Sequence, residues 1–153
     1  MFEPSLYPYS LKFSIGAITL LIILMLLLLA NTIAADNIFG WGIFGVFMLF
    51  FLFMVVLLIL KRLIPAIKGD IALQVDDEGI SDYIRDISIG WEDIKEINLL
   101  RGRSASTMQI FLKFESDHGS QIDIPLRWVK GKDNEIYETT MAYFEQAPAS
   151  DAD

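Results

Sequence analysis

The 153-residue sequence contains no cysteine and a single histidine, His118. Without cysteine the chain cannot form disulfides, thiolate metal sites, iron–sulfur clusters or a cysteine nucleophile. One histidine also excludes a metal centre built from several histidines of one chain. These absences remove many enzyme and metalloprotein classes, and no cofactor is expected.

Charge is scarce in the first part of the chain and one-sided in the second. Residues 1–68 carry four cations and two acids, a net charge of +2, whereas residues 69–153 carry eight cations and eighteen acids, a net charge of −10. A part with this excess of acids is repelled by nucleic acid and by anionic membrane surfaces. Nucleic acid is therefore not predicted as a partner.

Long hydrophobic runs fill the first 60 positions. No charged residue occurs in 13–35 or in 38–60. A helix of such a length rises about 35 Å, which exceeds the roughly 30 Å hydrocarbon core of a bilayer. The runs lack the polar face of helices in a soluble bundle, and they exceed the apolar region of a signal peptide. Residues 1–68 are predicted as a transmembrane hairpin with a juxtamembrane segment.

Lysine and arginine flank this predicted hairpin on one side. Lys12 precedes the first span, and the turn around Asp36 carries no cation. Lys61, Arg62 and Lys68 follow the second span. Because such cations mark the cytoplasmic side, the pattern predicts a two-span inner-membrane protein with both termini in the cytoplasm. The lipid bilayer is thus an expected partner.

The interiors of the two runs contain no ionisable residue, which argues against an ion path or transport site built by one copy. Gly42 and Gly45 lie three residues apart in the second run, and small residues allow helices to approach closely. Two interpretations remain open, namely contact within the hairpin and contact with another helix. Pro65, after the second run, is expected to bend or end its helix.

From Asp70 onward, apolar residues alternate with polar ones, which is the periodicity of β-strands. Six short antiparallel strands are predicted, at about 71–75, 80–84, 87–91, 94–101, 107–115 and 122–126. Segments rich in Asp, Gly and Ser separate them, as expected for turns. Pro125 places the last strand at a sheet edge or near the strand's own end.

The period changes to that of a helix near the end of the chain. Ile136, Thr140 and Tyr143 fall on one face of an amphipathic helix predicted at about 133–146. Asp133 or the asparagine after it is available as an N-cap. Together the strands and the helix indicate a small α+β domain.

Two motifs and the element order resemble a bacterial pleckstrin-homology-like (PH-like) domain. The motifs are the strand–turn segment ALQVDDEGI and the Gly-Trp-Glu-Asp-Ile step at 90–94. With the N-terminal Leu-Tyr-Pro-Tyr-Ser segment and the hairpin, they are similar to small bacterial membrane proteins that carry such a domain. The resemblance implies a bent, partly open barrel for 70–146, closed by the last helix, and 147–153 is predicted as a flexible tail. The periodicity also permits an SH3-like barrel or an α+β sandwich.

No catalytic set is found in the sequence. His118 neighbours Ser116 and Asp117, but adjacency in one turn does not place a nucleophile, a base and an acid in a pocket. The acidic turn Asp76-Asp77-Glu78 lacks the alternating ligands of a calcium loop. No metal or phosphate-binding motif occurs. The chain is predicted not to be an enzyme.

Binding sites are predicted only in outline. PH domains that bind phosphoinositides use basic residues at the first strand hairpin, where this chain has an acidic turn, so that function is not carried over. A patch for an anion or a partner is one interpretation of the later cations, and scattered solvated charge is the other. The patch consists of Arg101, Arg103, Arg127, Trp128 and Lys130, with Lys132 nearby. Trp91 is expected in the core, whereas Trp128 either caps the core or contacts a partner.

Three functional hypotheses follow. The first is a membrane-anchored, non-catalytic interaction module, on which a protein partner or a second copy docks at strand edges or a helix-flanked groove. The second is an accessory or regulatory subunit of a larger membrane complex, which the hairpin contacts. The third is sensing of anionic lipid through Arg101, Arg103 and Arg127.

Overall fold

The computed structural model describes residues 3–35, 38–103, 105–116 and 119–147. They form two units, which we call the hairpin unit (residues 11–68) and the sheet unit (the described residues of 1–10 and 69–153). The predicted turn at Asp36, the turn residue His118 and the tail after Ala147 lie outside the described residues.

Two long apolar helices make up the hairpin unit. Helix α1 spans Leu11–Ala35, and α2 spans Ile38–Leu58. A π-helical segment, Ile59–Leu63, and helix α3, Ile64–Lys68, continue α2. The most apolar 18-residue windows of the two helical stretches have mean hydropathies of 2.8 and 3.2, and both stretches are long and apolar enough to cross a membrane. The helical prediction for both apolar runs is confirmed.

Helices α1 and α2 contact each other along one stripe of each. Met25 and Leu28 are half-buried on α1, and Phe44, Met48 and Phe51 are half-buried on α2. Spacings of three and four residues place such side chains on one helix face. Small residues belong to the same stripes, since Ser14 and Thr32 of α1 are buried and Gly40 of α2 is half-buried. The contact between the helices therefore uses both small and bulky residues.

Gly42 and Gly45 lie outside this stripe. Both are exposed, and a Cβ added to either would have no neighbouring atom within 4 Å. The interpretation that they mediate contact within the hairpin is wrong. Gly40 lies on the half-buried face of α2, and residues two and five positions later lie on the opposite side of the helix. Contact with another helix stays a prediction.

The second helix does not end at Pro65, and α3 continues to Lys68. Proline lacks an N–H and crowds the carbonyl four residues earlier, here that of Lys61. That carbonyl lies in the π-helical segment, whose wider turn ends with the Ile64 N–H donating to the Ile59 carbonyl. The chain leaves the helix at Gly69, whose φ of +75° suits a glycine after a helix end.

The sheet unit contains antiparallel strands in two sheets, followed by helix α4 (Asp133–Gln146). In the described residues the strands are β1 Ser5–Pro8, β2 Ile71–Val75, β3 Gly79–Asp82, β4 Ile87–Gly90, β5 Ile94–Leu100, β6 Thr107–Ser116 and β7 Gly119–Pro125. One sheet has the order β1-β2-β3-β4 and the other β5-β6-β7. The six predicted strands and the helix are confirmed. Pro125 ends β7, an edge strand, as predicted.

Strand β1 precedes the hairpin in the sequence but belongs to the sheet unit. It pairs with β2 in an antiparallel register that aligns Ser5 with Val75. The predicted boundaries, 1–68 and 70–146, assigned this strand to the hairpin and are corrected here. A strand of four residues is too short to show periodicity, and its partner lies more than 60 residues away.

The chain leaves the sheet unit and re-enters it at neighbouring points. The Tyr9 N–H donates to the Asp70 carbonyl at 3.2 Å, and the Lys130 N–H donates to the Pro8 carbonyl at 2.7 Å. These bonds tie the residues before the hairpin to those after it. In sequence terms, the hairpin is an insertion between β1 and β2.

The core of the sheet unit lies under both sheets and α4. Its most deeply buried large apolar side chains are Leu73, Ile80, Ile94, Met108, Ile110, Ile124, Leu126 and Ile136. Thr140 and Tyr143 of α4 are buried with them. Most of the alternating apolar residues of the strands fill the core, whereas Phe114 near the end of β6 is 78% exposed.

We expect residues 3–10 to be required for folding of the sheet unit. A fragment of residues 69–147 lacks β1 and exposes the backbone edge of β2, so it should show no cooperative thermal unfolding by circular dichroism. Joining Ser10 to Gly69 through a short Gly–Ser linker should restore a cooperative transition, because Tyr9 and Asp70 are already adjacent. Equal stability of the two proteins would contradict this expectation.

Candidate interaction groove

The candidate groove begins at the turn between β2 and β3, which Asp76 organises. Its Oδ1 accepts hydrogen bonds from the backbone N–H groups of Glu78 (2.9 Å) and Gly79 (3.1 Å). Its Oδ2 accepts one from the Gln74 side-chain amide at 2.6 Å. An aspartate can bond to its own turn in this way and hold the backbone in one conformation. Asp77 and Glu78 are left exposed at the turn.

Two glycines form the part of the groove where β3 and β4 pair. Gly79 lies opposite Gly90 in the register. A Cβ at Gly79 would collide with the carbonyl oxygen of Ile89, and one at Gly90 would lie 2.5 Å from a carboxylate oxygen of Glu92. At Gly79 the obstacle is backbone and only glycine fits, whereas at Gly90 it is the end of the flexible Glu92 side chain. The strands are therefore bare of side chains at this point, and the Glu92 carboxylate lies close to the Gly90 backbone.

Trp91 connects the groove to the core. Its side chain is buried, and the indole N–H donates to the Asp76 carbonyl at 2.8 Å. The indole stacks nearly parallel on the Tyr143 ring, with centroids 6.4 Å apart and planes 10° apart. The Phe144 ring also lies beside the indole, with ring centroids 6.2 Å apart. The prediction that Trp91 is a core residue is confirmed.

An ion pair between the buried Asp82 and the partly exposed Arg85 lies at the far end of the β3–β4 hairpin. The Asp82 side chain is only 3% exposed and accepts a hydrogen bond from Arg85 Nε at 2.8 Å. Its other oxygen accepts one from the Ile84 N–H at 2.9 Å. A buried carboxylate needs such partners to offset its lost hydration. The pair holds the register that places Ser81 opposite Ser88.

The resulting groove has a volume of about 720 Å³. Its carboxylates belong to Asp76, Asp77, Glu78 and Glu92, and no lysine or arginine is found among the described residues that line it. The hydroxyls of Ser81 and Ser88 also line it and are hydrogen-bonded to each other at 3.0 Å. A cleft lined by one sign of charge attracts ligands of the opposite sign.

The predicted basic patch is brought together only in part. Arg101 and Lys132 line a separate cavity of about 360 Å³ at the start of α4. Arg103, Arg127 and Lys130 are exposed and do not line this cavity. Trp128 is half-buried, so its burial does not decide between capping the core and contacting a partner.

Carboxylates accompany the cations at the start of α4. Lys132 Nζ donates to Glu135 Oε1 at 2.7 Å, and this hydrogen bond, with the charge of Glu135, raises the pKa of Lys132. The Asp133 carboxylate accepts a hydrogen bond from the Ser106 N–H at 2.8 Å. An incoming anion would meet both acids, so this cavity is a poorer anion site than the sequence indicated.

The predicted N-cap of α4 is wrong. Lys132 occupies the N-cap position and makes no side-chain cap hydrogen bond. The Asp133 carboxylate is used by Ser106, and the Asn134 side-chain oxygen accepts from Arg101 at 3.4 Å. Both side chains therefore join the loop before β6 to the helix, and that loop lies too far away in sequence for its contact to be predicted.

No protein-family model, curated protein or solved structure matches this chain. Within the described ranges, no group of three or more histidine, aspartate or glutamate side chains is arranged to hold a metal ion. Function must therefore be argued from the groove and the hairpin themselves.

The sequence does not reveal the groove, because each of its residues has a sufficient local explanation. Asp76, Asp77 and Glu78 fit a turn, and Gly90 belongs to the motif at 90–94. The sequence does contain one indication of the groove. If the turn between β3 and β4 is centred between residues 84 and 85, Gly79 pairs with Gly90 and Ser81 pairs with Ser88.

We expect Trp91→Phe to lower the free energy of unfolding of the linker-joined sheet unit by about 1–2 kcal/mol, because the Asp76 carbonyl loses its buried donor. Urea titration followed by circular dichroism measures this. The control is Tyr83→Phe, which removes an exposed hydrogen bond to Gln74 and should cost less than about 0.5 kcal/mol. Equal costs for the two variants would show that the indole hydrogen bond is not important.

Proposed function

We propose that this chain is a membrane-anchored, non-catalytic interaction module whose sheet unit is a PH-like domain. The order of four strands and then three, closed by a C-terminal helix, supports the PH-like assignment. The observation that carries the proposal is the pairing of β1 with β2 on either side of the hairpin in sequence. A hairpin inserted in this way anchors the domain through two chain segments.

The same pairing supports the topology that we propose. Because β1 and the later strands form one unit, both ends of the hairpin return to one side of the membrane. The cations Lys12, Lys61, Arg62 and Lys68 favour the cytoplasmic side of a bacterial inner membrane. The sheet unit and both termini are then cytoplasmic.

We infer that the groove binds a protein segment bearing lysine or arginine. Its described lining holds four carboxylates and no lysine or arginine, and β4 beside it is the last strand of its sheet, where an extended peptide can pair. Anchoring in the membrane raises the local concentration of the sheet unit for a partner at the same surface.

Crosslinking pull-down of the full-length protein from solubilised membranes tests this docking site. The variant E78K/E92K should reduce capture of the partner by about tenfold or more, because like charges at an interface cost several kcal/mol. The matched control is E138K/E145K, which reverses two exposed charges on α4. Retention of the partner by the groove variant, or no stoichiometric partner for the wild type, would contradict the proposal.

Single-cysteine labelling tests the topology, since the chain has no cysteine of its own. With a membrane-impermeant maleimide on intact spheroplasts, Asn37→Cys should be labelled at once. Ser120→Cys, at an exposed position of β7, should be labelled only after the membrane is permeabilised. The opposite order would place the sheet unit outside the cytoplasm.

The second candidate function is an accessory or regulatory subunit held in a larger membrane complex by the hairpin. The open space beside Gly42 and Gly45 favours it, because another helix can approach there.

We expect the double variant G42L/G45L to leave the hairpin unit itself intact, since no atom lies within 4 Å of either Cβ. Under the second function it should abolish co-purification of the complex, measured by blue native electrophoresis. Gly16→Leu, at an equally open position of α1, is the control. Unchanged migration of the double variant would argue against this function.

A further inference from the structure

The cations of the hairpin unit collect at one end. Lys12 lies 23 residues before the end of α1 at Ala35, and Lys61 lies 23 residues after the start of α2 at Ile38. Only two residues connect the helices, so α1 and α2 run antiparallel. Equal numbers of residues along antiparallel helices reach the same height. Lys12 and Lys61 therefore lie at one level, beside the contact of α1 with the π-helical segment and α3.

The same end carries two more cations. Arg62 lies within the π-helical segment, and Lys68 ends α3. Aspartate and glutamate are absent from the described residues of 11–68, and the first acid after Lys68 is Asp70. We call this set, Lys12, Lys61, Arg62 and Lys68, the cationic end of the hairpin.

Exposed apolar side chains adjoin the cationic end. Leu60 is 56% exposed directly before Lys61, and Ile67 is 67% exposed directly before Lys68. On α1, Ile15 is 50% exposed one turn after Lys12. A ligand for this surface must present an anion and, directly beside it, extended hydrocarbon. Among common cellular molecules, an anionic phospholipid has both.

We propose that the cationic end of the hairpin binds the phosphate of an anionic phospholipid, whose acyl chains lie along the apolar helices. The π-helical segment supports this site, since the extra residue in its turn changes the direction in which Lys61 and Arg62 leave the helix, and such turns occur often at functional sites. The binding surface belongs to the hairpin and not to the acidic sheet unit. It rests on the proposed membrane insertion.

The test uses the full-length protein in a neutral detergent. Thermal stabilisation and native mass spectrometry are measured with phosphatidylglycerol and with phosphatidylcholine of the same acyl chains. The wild type should bind phosphatidylglycerol about tenfold more tightly, because the cations of the cationic end attract an anionic headgroup and not a zwitterionic one. The preference should shrink as sodium chloride rises from 50 to 500 mM, roughly, because salt screens the charges.

Variants assign the preference to the cationic end. K61Q/R62Q/K68Q should bind both lipids alike, whereas K61R/K68R, which conserves charge, should keep the preference. The control K95Q/K113Q/K130Q removes three exposed cations from the sheet unit and should also keep it. Loss of the preference in this control, or its retention in the glutamine variant of the hairpin, would overturn the proposal.

Two further results would also overturn it. One is equal binding of the two lipids by the wild type. The other is full displacement of phosphatidylglycerol by millimolar inorganic phosphate, which would indicate a small-anion site. A protein that stays monodisperse without any detergent would instead refute membrane insertion itself, so the two failures are distinguishable.

Discussion

The pairing of β1 with β2 is the constraint on which the rest of the structure depends. It brings together two segments of sequence separated by the whole hairpin, and it supplies the edge of the four-stranded sheet. The loop-closure entropy of such a separation grows only slowly with length, and an inserted hairpin with its own internal contacts reduces it further. The bond between Tyr9 and Asp70 marks the point where the insertion begins and ends.

The groove on β3 and β4 depends on this frame in a stepwise manner. Strand β2 positions Asp76, Asp76 sets the turn into β3, and the carbonyl of Asp76 receives the Trp91 indole. Trp91 then stacks on Tyr143 of α4. The acidic lining is thus attached to the core at both sheet and helix, which gives an interaction surface with little freedom to rearrange.

The chain divides its charges between two surfaces of opposite sign. The sheet unit carries the acids and presents a groove suited to a cationic segment, whereas the hairpin unit carries only cations at one end of its helices. Anionic lipid repels an acidic domain, whereas it attracts a set of cations such as the cationic end of the hairpin. The lipid binding and the partner binding that we propose involve different residues, so mutation can test them separately.

The sequence by itself determined the elements. The uninterrupted apolar runs indicate two long helices that have no polar face to expose to water. The alternation at Met108, Ile110 and Leu112 indicates a strand with one buried side. What only the tertiary structure decided involves residues far apart or residues whose local signal is weak. These are the inclusion of β1 in the sheet unit, the exposed position of Gly42 and Gly45, the hydrogen bond from the Ser106 N–H to the Asp133 carboxylate, and the pairing of Gly79 with Gly90. Periodicity reports which face of an element is buried, but it does not report which element covers that face.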